Sequence, residues 1–321
     1  MDTVIPKKAE TSRLTRGYLI CLVGTTIWST TAIFIRYLTD AYQMPPLVLA
    51  FWRDLILSLA LLAFFLSRNP LRLRLEQRHW RFMVAYGLVL SLFNSLWTIS
   101  VALNGAAVST VLAYSSAAFT AVLGWRLFHE TLNPLKILAV ALSLIGCVFV
   151  SGALDVAAWR LNPVGIVTGL SSGLAFAAYS LMGKAASKRS IYPWTTLFYT
   201  FTIAALFLFF YNQIAIVLPE GVASRDLMWL GSELIGWGLL AALAVGPTIG
   251  GYGLYTVSLS YLPASVANVI ATLEPVMTSV WAFLLLNERF TPPQWIGSLL
   301  IIGGVIILRI NEGRLNGQTA H

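Results

Sequence analysis

One glutamate, Glu274, stands about ten residues inside a long apolar segment of this 321-residue sequence. In a membrane helix such a position lies near the bilayer midplane, where an ionised carboxylate is costly unless it is protonated, paired or solvated. Pro275 follows directly and cannot donate a hydrogen bond to the Ala271 carbonyl, so we predict a kink beside the acid. Three roles stay open for Glu274: a coupling proton site, a clamp for a substrate ammonium, or a structural acid bonded to a neighbouring helix.

Aromatic, hydroxyl and amide side chains recur at helical spacing in the apolar segments and form a candidate substrate-binding site. Asn94 and Trp97 lie three residues apart, and a shift of 158 residues places Tyr252 and Tyr255 at the equivalent positions. Such a ring suits an amphipathic small molecule held by stacking and dispersion. The alternative is hydrogen bonding and aromatic packing between helices without any ligand. The candidate binding residues are Trp28, Asn94, Trp97, Thr110, Tyr114, Tyr179, Thr248, Tyr252, Tyr255, Asn268 and Thr272.

The elements that must position these residues are membrane helices. The chain is 58% hydrophobic and only 11% charged, whereas soluble domains carry about 25% charged residues. Its apolar residues fall into blocks of about 20, the length a helix needs to cross the hydrocarbon, and not into the short alternating segments of β-barrels. The sequence therefore predicts an all-α membrane protein of ten transmembrane helices, at about 17–38, 47–66, 80–101, 106–128, 134–151, 163–185, 193–216, 234–259, 264–286 and 292–310.

The ten predicted spans form two repeats of five. A constant shift of 158 residues pairs Glu130 with Glu288 and Pro134 with Pro292. Because each repeat has an odd number of spans, the two should lie in the bilayer in opposite orientations. Inverted-topology repeats are typical of secondary transporters, which bind substrate at the midplane between the halves. The predicted organisation is a cytoplasmic tail at 1–16, a first repeat at 17–151, a linker at 152–162, a second repeat at 163–310 and a cytoplasmic tail at 311–321.

The chain has a net charge of +8, and the distribution of its basic residues indicates the membrane topology. The basic residues concentrate before the first predicted span, after the second and after the sixth, on one side of a ten-span protein. Since positive residues favour the cytoplasmic side, we expect both termini in the cytoplasm. The basic surface should attract anionic lipid head groups, so the expected partners are membrane lipids and a small-molecule substrate, with no nucleic acid. The oligomeric state stays open.

The order of motifs in the two repeats resembles that of the EamA-type drug/metabolite transporter family. The resemblance covers about 17–310, and it is carried by Leu273-Glu274-Pro275, Asn287-Glu288-Arg289-Phe290-Thr291, Gly297 and Gly303-Gly304. It implies a multi-pass permease of a bacterial inner membrane that exports amino acids or related metabolites, aromatic amino acids among them. It also agrees with the scarcity of polar residues in spans five and ten, which we expect to be peripheral. The first repeat departs from the family pattern, with Ser115-Ser116-Ala117 where the second has Leu273-Glu274-Pro275.

Composition and motifs argue against an enzyme. Gly169, Ser171 and Gly173 match the spacing of a nucleophile elbow, but they lie in a predicted membrane helix with no preceding strand and no nearby base. No metal-ligand spacing or phosphate-binding loop is present, so we expect no cofactor and no metal. Cys21 and Cys147 both lie inside predicted spans and are expected to pack as inert thiols.

The favoured hypothesis is a secondary transporter that exports small amphipathic metabolites, above all amino acids, by alternating access. A lipid or polyprenyl-carrier flippase is the alternative among membrane proteins, and a passive channel or a membrane-embedded enzyme are further ones. Flux that saturates would exclude the channel, and substrate consumption without a membrane barrier would identify the enzyme.

Three further features carry structural expectations. Arg53 and Asp54 are neighbours in the second span and should project in different directions, so we expect no mutual ion pair. Glu130 and Glu288 end their helices and should accept hydrogen bonds from the free N–H groups of the next helix. Gly246-Pro247 should interrupt the eighth span, as Gly and Pro do at binding sites and moving parts of transporters.

Overall fold

The computed structural model describes residues 7–155, 162–286 and 289–318. Within these ranges the regular structure is helical and no strand is formed. Short 3₁₀ turns and one π-helical turn, Ala244–Thr248, accompany the α-helices. The α-helices are α1 Lys7–Trp28, α2 Thr31–Tyr42, α3 Pro46–Arg68, α4 Trp80–Asn104, α5 Ala106–Tyr114, α6 Ser116–Phe128, α7 Pro134–Val150, α8 Pro163–Lys188, α9 Pro193–Gln213, α10 Leu234–Leu243, α11 Ile249–Ser258, α12 Ala264–Ala271, α13 Glu274–Leu286 and α14 Pro292–Gln318.

Each of the ten predicted spans corresponds to helical structure. In the described part of the chain, nine helical stretches are long and apolar enough to cross a membrane. The exception is α7, an apolar helix of 17 residues, which reaches only about 26 Å at 1.5 Å per residue. The predicted tails are partly helical, because α1 begins at Lys7 and α14 continues to Gln318. α1 begins with Lys7, Lys8, Ala9 and Glu10, which are good helix formers, whereas the end of α14 contains Gly313 and Gly317, which are poor ones.

Four spans are interrupted. The first breaks between α1 and α2, the fourth between α5 and α6, the eighth at the π-helical turn, and the ninth between α12 and α13. At three of the breaks a hydroxyl donates to the backbone carbonyl three residues earlier, which favours local bending of a helix. These bonds join Ser29 to the Thr26 carbonyl (2.7 Å), Ser115 to the Leu112 carbonyl (2.5 Å) and Thr272 to the Val269 carbonyl (2.6 Å).

The prolines act beside two of these breaks. Pro247 has no N–H for the Leu243 carbonyl, and the Thr248 hydroxyl donates to that carbonyl instead, at 2.8 Å. The eighth span is therefore interrupted where Gly246-Pro247 predicts it. Pro275 lies in the first turn of α13, where a missing N–H leaves no intrahelical bond unmade. The predicted interruption beside Glu274 is thus found at Thr272–Leu273.

The helices pack in pairs that join distant parts of the sequence. α1 packs against α11, α3 against α9, α4 against α8 and α9, and α7 along α14. The last pair contains the predicted fifth and tenth spans and is joined through glycine. A Cβ at Gly146 would lie 2.7 Å from the Gly297 carbonyl oxygen, so only glycine permits this approach. Cys21 and Cys147 are buried free thiols, as expected.

Candidate functional site

Five aromatic rings meet at the centre of the helix bundle, and we call them the aromatic cluster: Trp28, Phe176, Tyr179, Tyr252 and Tyr255. The Trp28 ring centroid lies 4.3 Å from that of Tyr252, 5.7 Å from Phe176 and 5.9 Å from Tyr255. Phe176 stacks on Tyr179 and Tyr255 at 6.1 and 6.0 Å. Rings at these separations attract each other in offset and edge-to-face arrangements. The cluster therefore joins α1 of the first half to α8 and α11 of the second.

Two helix breaks are tied to the aromatic cluster by a chain of polar side chains. The Tyr255 and Ser180 hydroxyls lie 2.7 Å apart, and Ser180 accepts from the Asn268 amide at 3.1 Å. The Asn268 carbonyl oxygen in turn accepts from the Ser116 hydroxyl at 3.0 Å. All four side chains are buried, so each bond also avoids the cost of an unpaired polar group. The chain runs through α11, α8, α12 and α6, and so couples both halves.

Glu274 forms a contact between the two halves as well. It is the first residue of α13, and its carboxylate accepts a hydrogen bond from the Tyr114 hydroxyl at the end of α5. Thr272, two residues earlier, is fully buried and bonds to its own helix. The Glu274 carboxylate thus has a neutral hydroxyl of the other half as its partner, whereas Thr272 bonds within its own helix.

Arg53 and Asp54 form a buried ion pair, and the expectation of no mutual pairing is wrong. The Arg53 Nε donates to Asp54 Oδ1 at 2.9 Å, and the other Asp54 oxygen accepts from the Asn94 amide at 3.4 Å. Although neighbouring residues start out about 100° apart on a helix, the long Arg side chain curls back. Burial favours this pairing, because an unpaired charge in the interior is more costly than a bent side chain.

The structure brings together only part of the predicted site. Trp28, Tyr179, Tyr252 and Tyr255 lie in the aromatic cluster and Asn268 bonds to its edge, while Tyr114 contacts Glu274. The Asn94 amide donates to Asp54, and the Thr248 hydroxyl donates to the Leu243 carbonyl across the π-helical turn. Trp97 and Thr110 are half-buried and make no ring contact or side-chain hydrogen bond within the described residues. The predicted set did not include Ser116 and Ser180, although Ser180 adjoins Tyr179 and Ser116 is the equivalent of Glu274 under the 158-residue shift.

Two cavities open toward opposite ends of the bundle. The larger, about 340 Å³, is lined by Arg13, Glu130, Lys184, Lys188, Tyr261 and Glu312 among others. The smaller, about 250 Å³, is lined by residues that include Arg36, Thr278, Phe290 and Gln294. Gln294 and Glu312 are 18 residues apart on α14, about 27 Å along its axis. The residues lining these two cavities do not include any member of the aromatic cluster, which therefore lies apart from both.

Beside the larger cavity, Glu130 caps a helix, but not the one expected. Its carboxylate accepts from the backbone N–H of Ala264 at 2.8 Å, from that of Ser265 at 3.3 Å and from the Ser265 hydroxyl, all at the start of α12. The next helix in sequence, α7, is capped instead by Asn133, whose side chain accepts from the Lys136 N–H at 2.9 Å. Glu288 lies outside the described residues.

Lys136 lies between Glu130 and the last helix, α14. Its buried ammonium lies 3.7 Å from Glu130 and 3.9 Å from Glu312 of α14. Among the residues that the structure describes, no group of three or more His, Cys, Asp or Glu side chains is placed to hold a metal ion.

Comparisons with known proteins identify related transporters. The model of the EamA-like transporter family matches twice, over residues 15–152 and 163–310. An uncharacterized transporter of Bacillus subtilis, YwfM, is 27% identical over 308 residues, which are 94% of this chain and 97% of that protein. A probable amino-acid metabolite efflux pump of Escherichia coli is 25% identical over 303 residues, 90% of this chain and 93% of that one. The uncharacterized inner membrane transporter YicL of Salmonella typhimurium is 23% identical over 308 residues, 93% and 97% of the two chains.

A solved crystal structure shares the fold. It aligns with a TM-score of 0.76 at 18% identity and covers 94% of this chain and 99% of the other. At this identity the match shows only that the two proteins share the arrangement of their helices.

Proposed function

Because the chain belongs to the EamA-like transporter family and is a multi-span membrane transporter, we propose that it exports small amphipathic metabolites, above all amino acids, across a bacterial inner membrane. The relative named as a probable amino-acid metabolite efflux pump supports this substrate class. Relatives named as inner membrane transporters support the location.

The observation that carries the proposal is the aromatic cluster together with its polar chain. Stacked rings next to hydroxyl and amide groups match a molecule that has one apolar and one polar end. The cluster draws on α1, α8 and α11, and therefore on both halves of the chain. A site between the two halves is where secondary transporters that work by alternating access bind their substrates, which supports the proposal.

Ten transmembrane helices in two inverted repeats, with both termini in the cytoplasm, are part of the same proposal. The double match of the family model supports two repeats. The breaks in the fourth and ninth spans support their equivalence, because α5 and α12 begin 158 residues apart and α6 and α13 end 158 residues apart. The basic residues around Arg72 and Arg74 support a cytoplasmic loop between α3 and α4.

Cysteine labelling tests this topology. Arg74→Cys and Glu220→Cys both place the thiol at an exposed position, and the native cysteines are buried. We expect an impermeant thiol reagent to reach Arg74→Cys from the cytoplasmic side and Glu220→Cys from the periplasmic side. Labelling of both from one side would rule out inverted repeats.

Transport by purified protein in proteoliposomes tests the substrate class. Vesicles are loaded with radiolabelled amino acids and assayed with and without a pH gradient. We expect saturable flux of apolar and aromatic amino acids. Trp28→Ala, which removes a ring from the cluster, should lower the initial rate about tenfold or more, because stacking holds the substrate. Trp125→Ala is the matched control, since that ring is 51% exposed on the outer surface of α6.

Three outcomes would contradict the proposal. Flux that does not saturate would indicate a channel, and flux of labelled lipid in place of amino acids would indicate a flippase. Equal rates for Trp28→Ala and wild type would show that the aromatic cluster serves packing alone.

A further inference from the structure

The ion pair of Arg53 and Asp54 leaves part of a buried guanidinium unsatisfied. Arg53 is the eighth residue of α3 and only 6% exposed, so its charged end is enclosed by the protein. Its Nη2 lies 2.9 Å from Asp54 Oδ1, yet its N–H bonds are poorly directed at that oxygen, and it has no hydrogen-bond partner within the described residues. Among the residues that the structure describes, the guanidinium makes one hydrogen bond, through Nε to Asp54.

Such an arrangement is costly for a purely structural pair. A guanidinium carries five N–H donors, and buried donors of a charged group without acceptors cost more than neutral ones. A pair that served only stability would be replaced at little cost by apolar side chains of similar volume. The free donors therefore call for a further acceptor, and their planar fork matches a carboxylate, which accepts two parallel N–H bonds.

The surroundings of the pair place it beside the aromatic cluster. α3 packs against the π-helical turn Ala244–Thr248, which precedes Tyr252 by one turn. Asn94 of α4, which donates to Asp54, follows Phe93, whose ring lies 5.0 Å from that of Phe176 in the cluster. The ion pair therefore lies next to residues that contact the cluster.

We propose that Arg53 binds the carboxylate of the transported molecule. This deepens the proposed function and depends on it, because it names the group that an exported amino acid must carry. Asp54 and Asn94 are the positioning residues: Asp54 holds Nε, and Asn94 holds the second oxygen of Asp54. The unpartnered side of the guanidinium is then left for the substrate, whose apolar side chain stacks on the aromatic cluster. Pi-helical turns are frequent at functional sites, and one borders this position.

The substrate class that follows is an amphipathic molecule with a free carboxylate. Sites built to hydrogen-bond a substrate group discriminate strongly against analogues without it, because the buried partners are then left unpaired. A carboxamide has the same shape as the carboxylate but no negative charge and only one acceptor oxygen. Comparison of an amino acid with its amide therefore isolates the interaction with Arg53.

The test measures export of L-phenylalanine and of L-phenylalanine amide by wild-type protein in proteoliposomes. We expect the acid to be transported about tenfold faster or more at equal low concentration. Arg53→Gln should lose most of the acid flux and keep the amide flux, so that the ratio of the two rates approaches one. Arg53→Lys keeps the charge without the fork and should give an intermediate ratio.

Arg78→Gln is the matched control, and a double variant guards against misfolding. Arg78 is an exposed arginine between α3 and α4, 2.6 Å from Glu76 and outside the lining of both cavities, and its replacement should leave the ratio unchanged. If Arg53→Gln alone does not fold because Asp54 is left unpaired, Arg53→Gln with Asp54→Asn removes both charges together. It should also bring the ratio to about one, as expected for loss of a single carboxylate-binding group.

The failure of this inference differs from a failure of the proposed function. Equal rates for acid and amide in wild-type protein would overturn carboxylate binding while leaving amino-acid export intact. An Arg53→Gln variant that keeps the wild-type ratio would overturn it too. Absence of any saturable flux of amino acids or their amides would instead overturn the proposed function.

Discussion

The fourth and ninth spans share a backbone break and differ in the chemistry placed there. α5 and α6 meet at Ser115, and α12 and α13 meet at Thr272–Leu273, positions related by the 158-residue shift. After the break the first half has Ser116 and the second has Glu274 at the equivalent position. Ser116 donates to Asn268, whereas Glu274 accepts from Tyr114. Each of these bonds crosses from one half to the other.

We expect the helix breaks and the carboxylate to contribute to transport in different ways. The duplicated breaks give both halves a similar place to bend, since irregular helices absorb movement in transporters. The carboxylate at the break of the second half has no counterpart at the break of the first half, so the two breaks differ chemically. The breaks in the first and eighth spans add to the asymmetry, because α8 and α4, their counterparts, are continuous. The two halves thus share a break at equivalent positions of the fourth and ninth spans but differ in the polar groups placed there and in their other breaks.

The largest effect should come from removal of the carboxylate. We expect Glu274→Ala to lower the export rate about tenfold or more, because the Tyr114 hydroxyl loses its acceptor in a buried position, at a cost of about 1–3 kcal/mol. Ser116→Ala, the equivalent change in the first half, removes a neutral hydrogen bond worth about 1 kcal/mol and should cost less than about fivefold. Initial rates in proteoliposomes compare the two.

Glu274→Gln sharpens the same comparison. The amide keeps an oxygen that can accept from Tyr114, but it does not titrate. We expect this variant to recover the thermal stability lost in Glu274→Ala. If Glu274 is the coupling-proton site, wild-type export is stimulated by a pH gradient and Glu274→Gln export is not. Equal losses for Glu274→Ala and Ser116→Ala would show that the two breaks are functionally equivalent and that the asymmetry carries no chemistry.

Sequence patterns predict the helices well and half of the breaks. Hydrophobic blocks set the helix positions, and proline signals the interruptions beside Pro247 and Pro275. The break at Ser115 has no such signal, because hydroxyl bonding to a carbonyl three residues back is common in helices that stay continuous. Ser29 illustrates the same difficulty in the first span.

The site is predictable in part, for a geometric reason. The repeat shift selects Tyr252 and Tyr255, which lie in the aromatic cluster, but it also selects Trp97, which does not. On α4 the rings that reach the aromatic cluster are Phe93 and Tyr86, at 5.0 Å from Phe176 and 5.0 Å from Tyr179 respectively. Trp97 is four residues beyond Phe93, about 6 Å farther along the axis and past the cluster. Spacing defines a face of a helix, and tertiary packing decides which part of that face meets a partner.

The Arg53–Asp54 ion pair could not be predicted from sequence patterns, for a different reason. Helical spacing fixes the direction in which a side chain leaves the backbone, but not the path of a long flexible one. The contact with Asn94 of α4 depends on how two helices pack, which no local pattern encodes.

The smallest effect of a substitution is expected beside the larger cavity, where Glu130 of the first half caps α12 of the second. Glu130→Gln keeps an acceptor for the Ala264 N–H but removes the charge that interacts with the helix dipole and with Lys136. We expect the free energy of unfolding to fall by about 1 kcal/mol, seen as a thermal midpoint in detergent lower by a few degrees, with export largely retained. Glu76→Gln is the control, because the ion pair of Glu76 with Arg78 is exposed and should contribute little. If Glu130→Gln melted like wild type, the cap would not stabilise the junction of the two halves, and the aromatic cluster and helix packing would hold it without the charge.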